Sequence, residues 1–264
     1  MLIIELPYID PIFLNFYGIK IYWYGIIYAF GIISTYLTIL YSKTCNIEVK
    51  NMFIKTSILL YILTGIIIGS RLGNILFYQP YYYLNDPIEI FKIWNGGMSF
   101  HGGIIGIVIS ILIFCYKNNK DFIYISDNIS VFAPIGIGIG KLGNFINCEL
   151  YGIQSNSLIG VIFPNDPYKI PRHPTQIYEF IFEGIILFLI LKIYKDKEPP
   201  KICISGLFLI ICGFFRFMIE LLRDQNYMFN NILTIGQLLS LLMIISGFIL
   251  TIIGYNKNIL IAKK

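Results

Sequence analysis

Charge is what this sequence has least of. Only 13% of its 264 residues are Asp, Glu, Lys or Arg, where soluble domains carry roughly a quarter because solvated surface demands it. That shortage excludes a soluble globule, and 56% hydrophobic residues exclude a disordered chain. Cysteine is sparse and shows no C-x-x-C pair: Cys45, Cys115, Cys148, Cys203 and Cys212 stand apart. They give no case for a disulfide framework or a zinc site, and most read as small apolar residues of helices. No basic run or stripe is present, so the net charge of +5 does not imply a nucleic-acid partner. A cleavable signal peptide is not evident either, since residues 1–18 hold Glu5 and Asp10 but no Lys or Arg.

What is abundant is apolar length. Mean hydropathy is +0.72, and a bilayer span needs roughly 20 apolar residues. Such stretches number about seven, near 21–41, 57–79, 100–116, 122–145, 175–194, 203–222 and 234–255. The third is short and the fourth rich in glycine. The expectation is an all-α polytopic membrane protein, a single membrane domain over residues 1–264.

Charge asymmetry orients it. Loops on one side carry Lys43, Lys50, Lys55, Lys117, Lys120, Lys192, Lys195, Lys197, Lys201, Lys257, Lys263 and Lys264. The other side has Lys20, Lys92, Lys169, Arg172 and Arg223. The positive-inside rule then puts the N-terminus outside and the C-terminus in the cytoplasm. The long loops, 80–99 and 148–174, fall on the outer side and are rich in Tyr, Trp, Pro and Asn, as interfacial segments are. The 1–18 segment, with Tyr8, Phe13, Phe16 and Tyr17, is expected along the same interface. Gly65/Gly69, Gly102/Gly106 and Gly136/Gly140 have the small-xxx-small spacing of closely packed helices. No internal repeat is visible, which argues against a transporter built from duplicated halves.

Ionisable residues inside spans are expensive, so each is a functional candidate. Arg71, Asp127, Lys141, Glu179, Glu183, Arg216 and Glu220 are such residues. Most fall toward the outer ends of their spans, where Tyr24, His101, Asn144, Asn147 and Glu149 also lie; this describes a cavity open to the outer leaflet. Asp127, near an inner end, reads as a helix-start carboxylate. Arg216, Glu220 and Arg223 at i, i+4, i+7 share a helical stripe, either as an internal ion pair or as an anion clamp. Arg71, Lys141 and Arg216 together would suit a phosphate. His101, flanked by Gly102 and Gly103 at a helix start, is a candidate proton acceptor or substrate contact. Gly138 to Gly143 spells G-x-G-x-x-G, yet inside a span and without a βαβ unit it is no dinucleotide site.

The run Gly140-Lys141-Leu142-Gly143-Asn144-Phe145-Ile146-Asn147-Cys148-Glu149-Leu150-Tyr151-Gly152 resembles the signature of prolipoprotein diacylglyceryl transferases. Tyr22–Gly25, Gly69–Gly73, Gly97–Gly103, Arg172–Glu179, Gly213–Arg216 with Glu220 and Arg223, and Gly236-Gln237 resemble that family too, in its order across nearly the whole chain. The resemblance implies a seven-helix enzyme of the bacterial inner membrane with its site facing the outer leaflet. It implies transfer of the diacylglyceryl group of phosphatidylglycerol to the lipobox cysteine of a preprolipoprotein signal peptide, with loss of glycerol phosphate. No cofactor or metal is implied.

Carried over by motif, Tyr24, His101, Asn144, Glu149, Gly152, Arg216 and Glu220 fall on positions tied to activity. His101 becomes the candidate base for the acceptor thiol. Arg216 with Lys141, and Arg71 as a third cation, would stabilise the departing phosphate. Tyr24, Asn144 and Glu149 would position the glycerol head group, and Gly152 would allow backbone to approach lipid or peptide. Three departures stand out: Lys141 where the family usually has Arg, Cys212 where Tyr is frequent, and Cys148 for a usual Gly. The competing readings are a degenerate, non-catalytic copy, a structural scaffold, and a transporter, which would place charges near the midplane with access from both sides.

Overall fold

Inside a bilayer each backbone N–H and C=O must find its partner within the protein, so long uncharged runs become helices. The computed structural model describes residues 2–16, 19–55, 57–156, 159–224 and 232–262. Tyr17, Lys263 and Lys264 lie outside the described residues. In chain order the elements are β1 (Leu2–Glu5), β2 (Ile12–Phe16), β3 (Ile19–Tyr22), α1 (Trp23–Tyr41), α2 (Ile47–Lys55), α3 (Ile58–Phe77) and α4 (Pro80–Asn85). Two 3-10 turns, Pro87–Phe91 and Ile93–Asn95, precede α5 (Phe100–Asn118), α6 (Phe122–Ile146) and β4 (Ile159–Ile162). Then come α7 (Thr175–Glu179), a π-helical stretch Phe180–Ile186, α8 (Leu187–Lys195), α9 (Cys203–Glu220) and α10 (Ile235–Ala262).

Among the described residues, six helices are long and apolar enough to span a membrane: α1, α3, α5, α6, α9 and α10. The remaining expected span, 175–194, is the run α7, π stretch and α8, of 5, 7 and 9 residues. Joined end to end they have the length a bilayer requires. The wide turn in the middle is what divides them, and such π stretches gather at functional positions; this one carries Glu183. The five cysteines are all buried.

The chain falls into two compact units, Cys45–Ile129 and Met1–Thr44 with Ser130–Lys264. In the first, α3 crosses α5 on the expected glycines. A Cβ on Gly69 would lie 2.5 Å from the Gly102 carbonyl oxygen and 2.6 Å from Gly106 Cα. Only hydrogen fits there, so backbones meet without intervening side chains. Ser99 caps α5, its Oγ accepting from the Gly102 N–H at 3.1 Å. The start of α6 corrects one expectation: the carboxylate there is Asp121, whose Oδ1 accepts from the Ile123 N–H at 2.9 Å. Asp127 sits inside the helix and is buried. Tyr81, Leu84, Ile88, Phe91 and Trp94 stand exposed on α4 and the turns after it, the aromatic and apolar character expected at an interface.

In the second unit the short strands give the polar segments a frame. β1 runs parallel to β4, Leu2 opposite Ile159 through Glu5 opposite Ile162, while β2 and β3 form an antiparallel pair. The N-terminal segment is therefore partly strand. Between β4 and α7 the backbone of Arg172 bonds both ways with Val161, at 2.9 and 3.0 Å. The Arg172 guanidinium grips Asp166 through Nε at 2.9 Å and Nη2 at 3.0 Å, and reaches Asp224 at 3.2 Å. Its plane lies over Tyr151 at 5.4 Å. Beside it Cys148, Val161 and Phe163 form a small core with Leu6, Phe145 and Tyr151. The described part of the 148–174 loop thus holds an ion pair and packs into a small core.

Candidate functional site

Three of the spans that sequence marks as polar, α6, the 175–194 run and α9, bring their charges to one place. Lys141 comes from α6, Glu179 from the end of α7, Glu183 from the π stretch, Arg216 and Glu220 from α9, and Arg223 from just beyond it. All six are buried: Glu179 and Glu183 are 0% exposed, Glu220 2%, Arg216 3%, Lys141 6% and Arg223 9%. Close packing permits the convergence, since a Cβ on Gly138 would lie 2.9 Å from Gly184 Cα.

Glu179 is the hub. Arg216 Nη1 donates to its Oε1, Lys141 Nζ lies 3.2 Å from Oε2, and Arg223 Nη1 stands 3.9 Å from Oε1. Arg216 Nη1 is also 3.4 Å from Glu183 Oε1. Three cations and three carboxylates balance, as burial in a low-dielectric interior requires. Among the described residues, neither carboxylate oxygen of Glu183 has a hydrogen-bond partner.

Glu220 is anchored on its other side by the start of α10. Arg223 Nη1 lies 3.2 Å from Glu220 Oε2 and Thr234 Oγ1 donates to Oε1 at 3.3 Å. Thr234 also caps α10: its Oγ1 accepts from the Gln237 N–H at 3.1 Å, and its own N–H donates to Gln237 Oε1 at 3.0 Å. This reciprocal pair is a capping box. A Cβ on Gly236 would stand 2.7 Å from the Glu220 carboxyl carbon, so the Gly-Gln pair of the sequence serves this carboxylate. The letters T-x-x-Q before an apolar run carry the signal for it.

Asn144 and Glu149 follow Lys141 along α6 and its exit. Asn144 is 3% exposed, and its carbonyl accepts from the Glu149 N–H at 3.0 Å. Glu149 Oε1 accepts from Asn147 Nδ2 at 3.0 Å. Partial desolvation raises the Glu149 carboxyl above the ordinary range, against the lowering effect of that bond. The start of α7 fixes this exit: Gln176 Nε2 donates to the Glu149 carbonyl at 2.6 Å and Thr175 Oγ1 to the Leu150 carbonyl at 2.8 Å. Both residues belong to the recognised Arg172–Glu179 run, and their task shows only in three dimensions. Gly152 pairs with Arg223, and a Cβ on it would lie 2.9 Å from His173 Cβ. The close approach is therefore between the loop backbone and its own neighbours. Tyr24 lies on α1 against Tyr28, ring centroids 4.4 Å apart. His173 Nδ1 is 3.2 Å from the Tyr178 hydroxyl, and burial lowers its pKa.

The other unit holds His101 and Arg71. His101 is 4% exposed at the first turn of α5, directly after the Ser99 cap. The glycines flanking it meet α3: a Cβ on Gly102 would sit 2.7 Å from Gly73 Cα, and one on Gly103 would sit 2.7 Å from Ser70 Oγ. Arg71 is spent on backbone. Its Nε donates to the Ile90 carbonyl at 3.1 Å, its Nη1 to those of Gly96 and Gly97, and its Nη2 to those of Glu89 and Lys92. Tyr83 lies under the guanidinium, 5.0 Å from ring centroid to Cζ. Of the three cations expected to act together, Lys141 and Arg216 share one carboxylate, while Arg71 organises the segment leading to His101. Among the described residues, no group of three or more His, Cys, Asp or Glu is arranged to hold a metal ion.

A family model described as prolipoprotein diacylglyceryl transferase matches residues 11–253. The chain is 39% identical over 259 residues to a phosphatidylglycerol–prolipoprotein diacylglyceryl transferase of Marinomonas sp. (strain MWYL1), covering 97% of this chain and 96% of that one. It is 41% identical over 260 residues to the protein of that name from Pseudomonas entomophila (strain L48), covering 96% of each. The Pseudomonas putida (strain W619) protein of that name gives the same identity and coverage. With nearly its whole length matched, this chain is a member of the prolipoprotein diacylglyceryl transferase family.

Proposed function

We propose that the protein transfers the diacylglyceryl group of phosphatidylglycerol to the lipobox cysteine thiol of a preprolipoprotein signal peptide. It works in the bacterial inner membrane, N-terminus out, with its site toward the outer leaflet. The observation that carries this reading is the buried set of Lys141, Arg216 and Arg223 focused on one point within a chain of this family. Cations so arranged in a water-poor site favour a departing phosphate far more than they would in water.

The chemistry divides among named residues. The cysteine sulfur attacks the terminal glycerol carbon of the diacylglyceryl group; a C–S bond forms, the C–O bond to phosphate breaks, and glycerol phosphate leaves as an anion. His101 takes the thiol proton, since a thiol with a free pKa of about 8.5 is a weak nucleophile until deprotonated. Arg216 and Lys141 hold the phosphate. Tyr24, Asn144 and Glu149 position the glycerol head group. Glu220, braced by Thr234, keeps Arg223 in place, and Gly152 lets the outer loop seat against the end of α9. Arg71 positions His101 through the carbonyls of residues 89–97.

Expression in a bacterium depleted of its own family enzyme tests the reading. Growth and lipoprotein processing are expected to return with the wild-type chain and to fail with His101→Ala. Failure of the wild-type chain, correctly inserted in the membrane, would leave the degenerate copy as the better account.

A further inference from the structure

The Glu179 carboxylate occupies the point where Arg216, Lys141 and Arg223 converge, one oxygen toward the two arginines and the other 3.2 Å from Lys141 Nζ. This is the place that the proposed function assigns to the phosphate, and the present inference rests on that reading. A carboxylate and a phosphodiester are chemically alike here: each is a compact monoanion that accepts charge-assisted hydrogen bonds from guanidinium and ammonium groups. The formal balance of the cluster makes them alternatives. Three cations already face Glu179, Glu183 and Glu220, so adding a head group without moving a carboxylate would leave one negative charge in excess, a costly state in a buried site.

We infer that Glu179 is the resting occupant of the phosphate subsite: the incoming head group displaces its carboxylate from Lys141 and Arg216, and the carboxylate returns to expel glycerol phosphate. Its location suits such movement. Glu179 is the last residue of α7, at the junction with the π stretch, where the hydrogen-bond register changes. One of its partners is Lys141, a single ammonium on a flexible stem; it grips an anion as a point charge and releases it more readily than a two-pronged guanidinium would. Competition of this kind sets both affinity for the donor lipid and the rate at which product leaves, because a ligand must outbid the group already bound.

Glycerophosphoglycerol, the deacylated head group, is the probe, bound to purified protein in detergent and followed by calorimetry. Glu179→Gln removes the competing charge while keeping the side chain's shape, and is expected to tighten binding at least tenfold; glycerol 1-phosphate should become a stronger product inhibitor by a similar factor. Should Glu179→Gln fail to fold, Glu179→Asp keeps the charge but draws it back by one methylene, and binding should again tighten, by a smaller factor. Unchanged or weaker binding in whichever variant folds would overturn the inference. Lys141→Met separates the two levels of the argument. If it weakens binding while Glu179→Gln fails to tighten it, Glu179 is only a structural counter-ion and the phosphate reading survives. If neither substitution alters binding, the phosphate subsite lies elsewhere and both readings fall.

Discussion

Replacing Arg216 by Met removes a cation and leaves a chain of similar bulk in its place. The guanidinium bonds Glu179 and stands 3.4 Å from Glu183, both 0% exposed. At an effective dielectric of about 20, the attraction to Glu183 alone is about 5 kcal/mol, most of it offset in the intact protein by the desolvation of both ions. Once the arginine is gone the offset has no counterpart, and breaking a buried pair in this way costs about 3–5 kcal/mol. At roughly 2–4 °C per kcal/mol for a chain of this size, the thermal transition in detergent should fall by roughly 6–20 °C. Adding Glu183→Gln removes one surplus carboxylate, leaving Lys141 and Arg223 to face Glu179 and Glu220. The double variant should therefore unfold at a higher temperature than Arg216→Met, and the full double-mutant cycle should show a coupling of about 0.5–3 kcal/mol. Transfer activity should stay absent in both, because the phosphate contact is missing from each. The reasoning fails if Arg216→Met melts with the wild type, or if the second substitution lowers stability further.

Other outcomes follow from single contacts. Gly69→Ala should destabilise by about 1–3 kcal/mol through overpacking against the backbone of Gly102 and Gly106, whereas Gly25→Ala, with nothing among the described residues within 4 Å of its Cβ, should be neutral; equal melting temperatures for the two would deny the α3–α5 crossing. Thr234→Ala removes the α10 cap and a bond to Glu220, and should cost about 1 kcal/mol by thermal unfolding together with a fall in transfer rate; an unchanged rate would uncouple the cap from the site. The Arg172 guanidinium holds the Asp166 carboxyl below its ordinary range. A depressed acid stabilises above its unfolded pKa, about 3.9, and that stability is lost as pH falls through the lower folded value. Wild type should thus exceed Asp166→Asn by about 1–3 kcal/mol near neutrality and lose that advantage as pH falls through the lowered folded value; a gap independent of pH would refute the pairing. Lys141→Arg should retain or raise transfer, since it restores a bidentate grip, and a dead variant would remove position 141 from the phosphate site.

The spans were legible because apolar length and the expulsion of charge are local properties of the chain, and Gly65, Gly69, Gly102 and Gly106 were legible as packing positions, though not which helices they join. The strands were not. β1 finds its partner in β4, more than a hundred and fifty residues away, and nothing in four apolar residues announces so distant a pairing. The charged residues of the site could be named, because each breaks an apolar run, but their partners could not. Lys141, Glu179 and Arg216 lie on three different elements, and only the folded chain reveals that Glu179 is shared. Arg71 looked equivalent to Arg216 as an intramembrane cation; its five carbonyl acceptors between Glu89 and Gly97 come from a turn whose path has no signature in composition. The π stretch was hidden for a similar reason, since a widened turn uses the same residues as an ordinary one.

The transfer reaction itself gives the most direct test of the account. Purified protein in detergent containing phosphatidylglycerol would be incubated with a synthetic lipobox peptide, and the peptide's mass followed. The account predicts a gain of one diacylglyceryl group, absent when the cysteine is replaced by serine and accompanied by release of one glycerol phosphate. No gain in mass, with a Pseudomonas relative active in parallel, would contradict it.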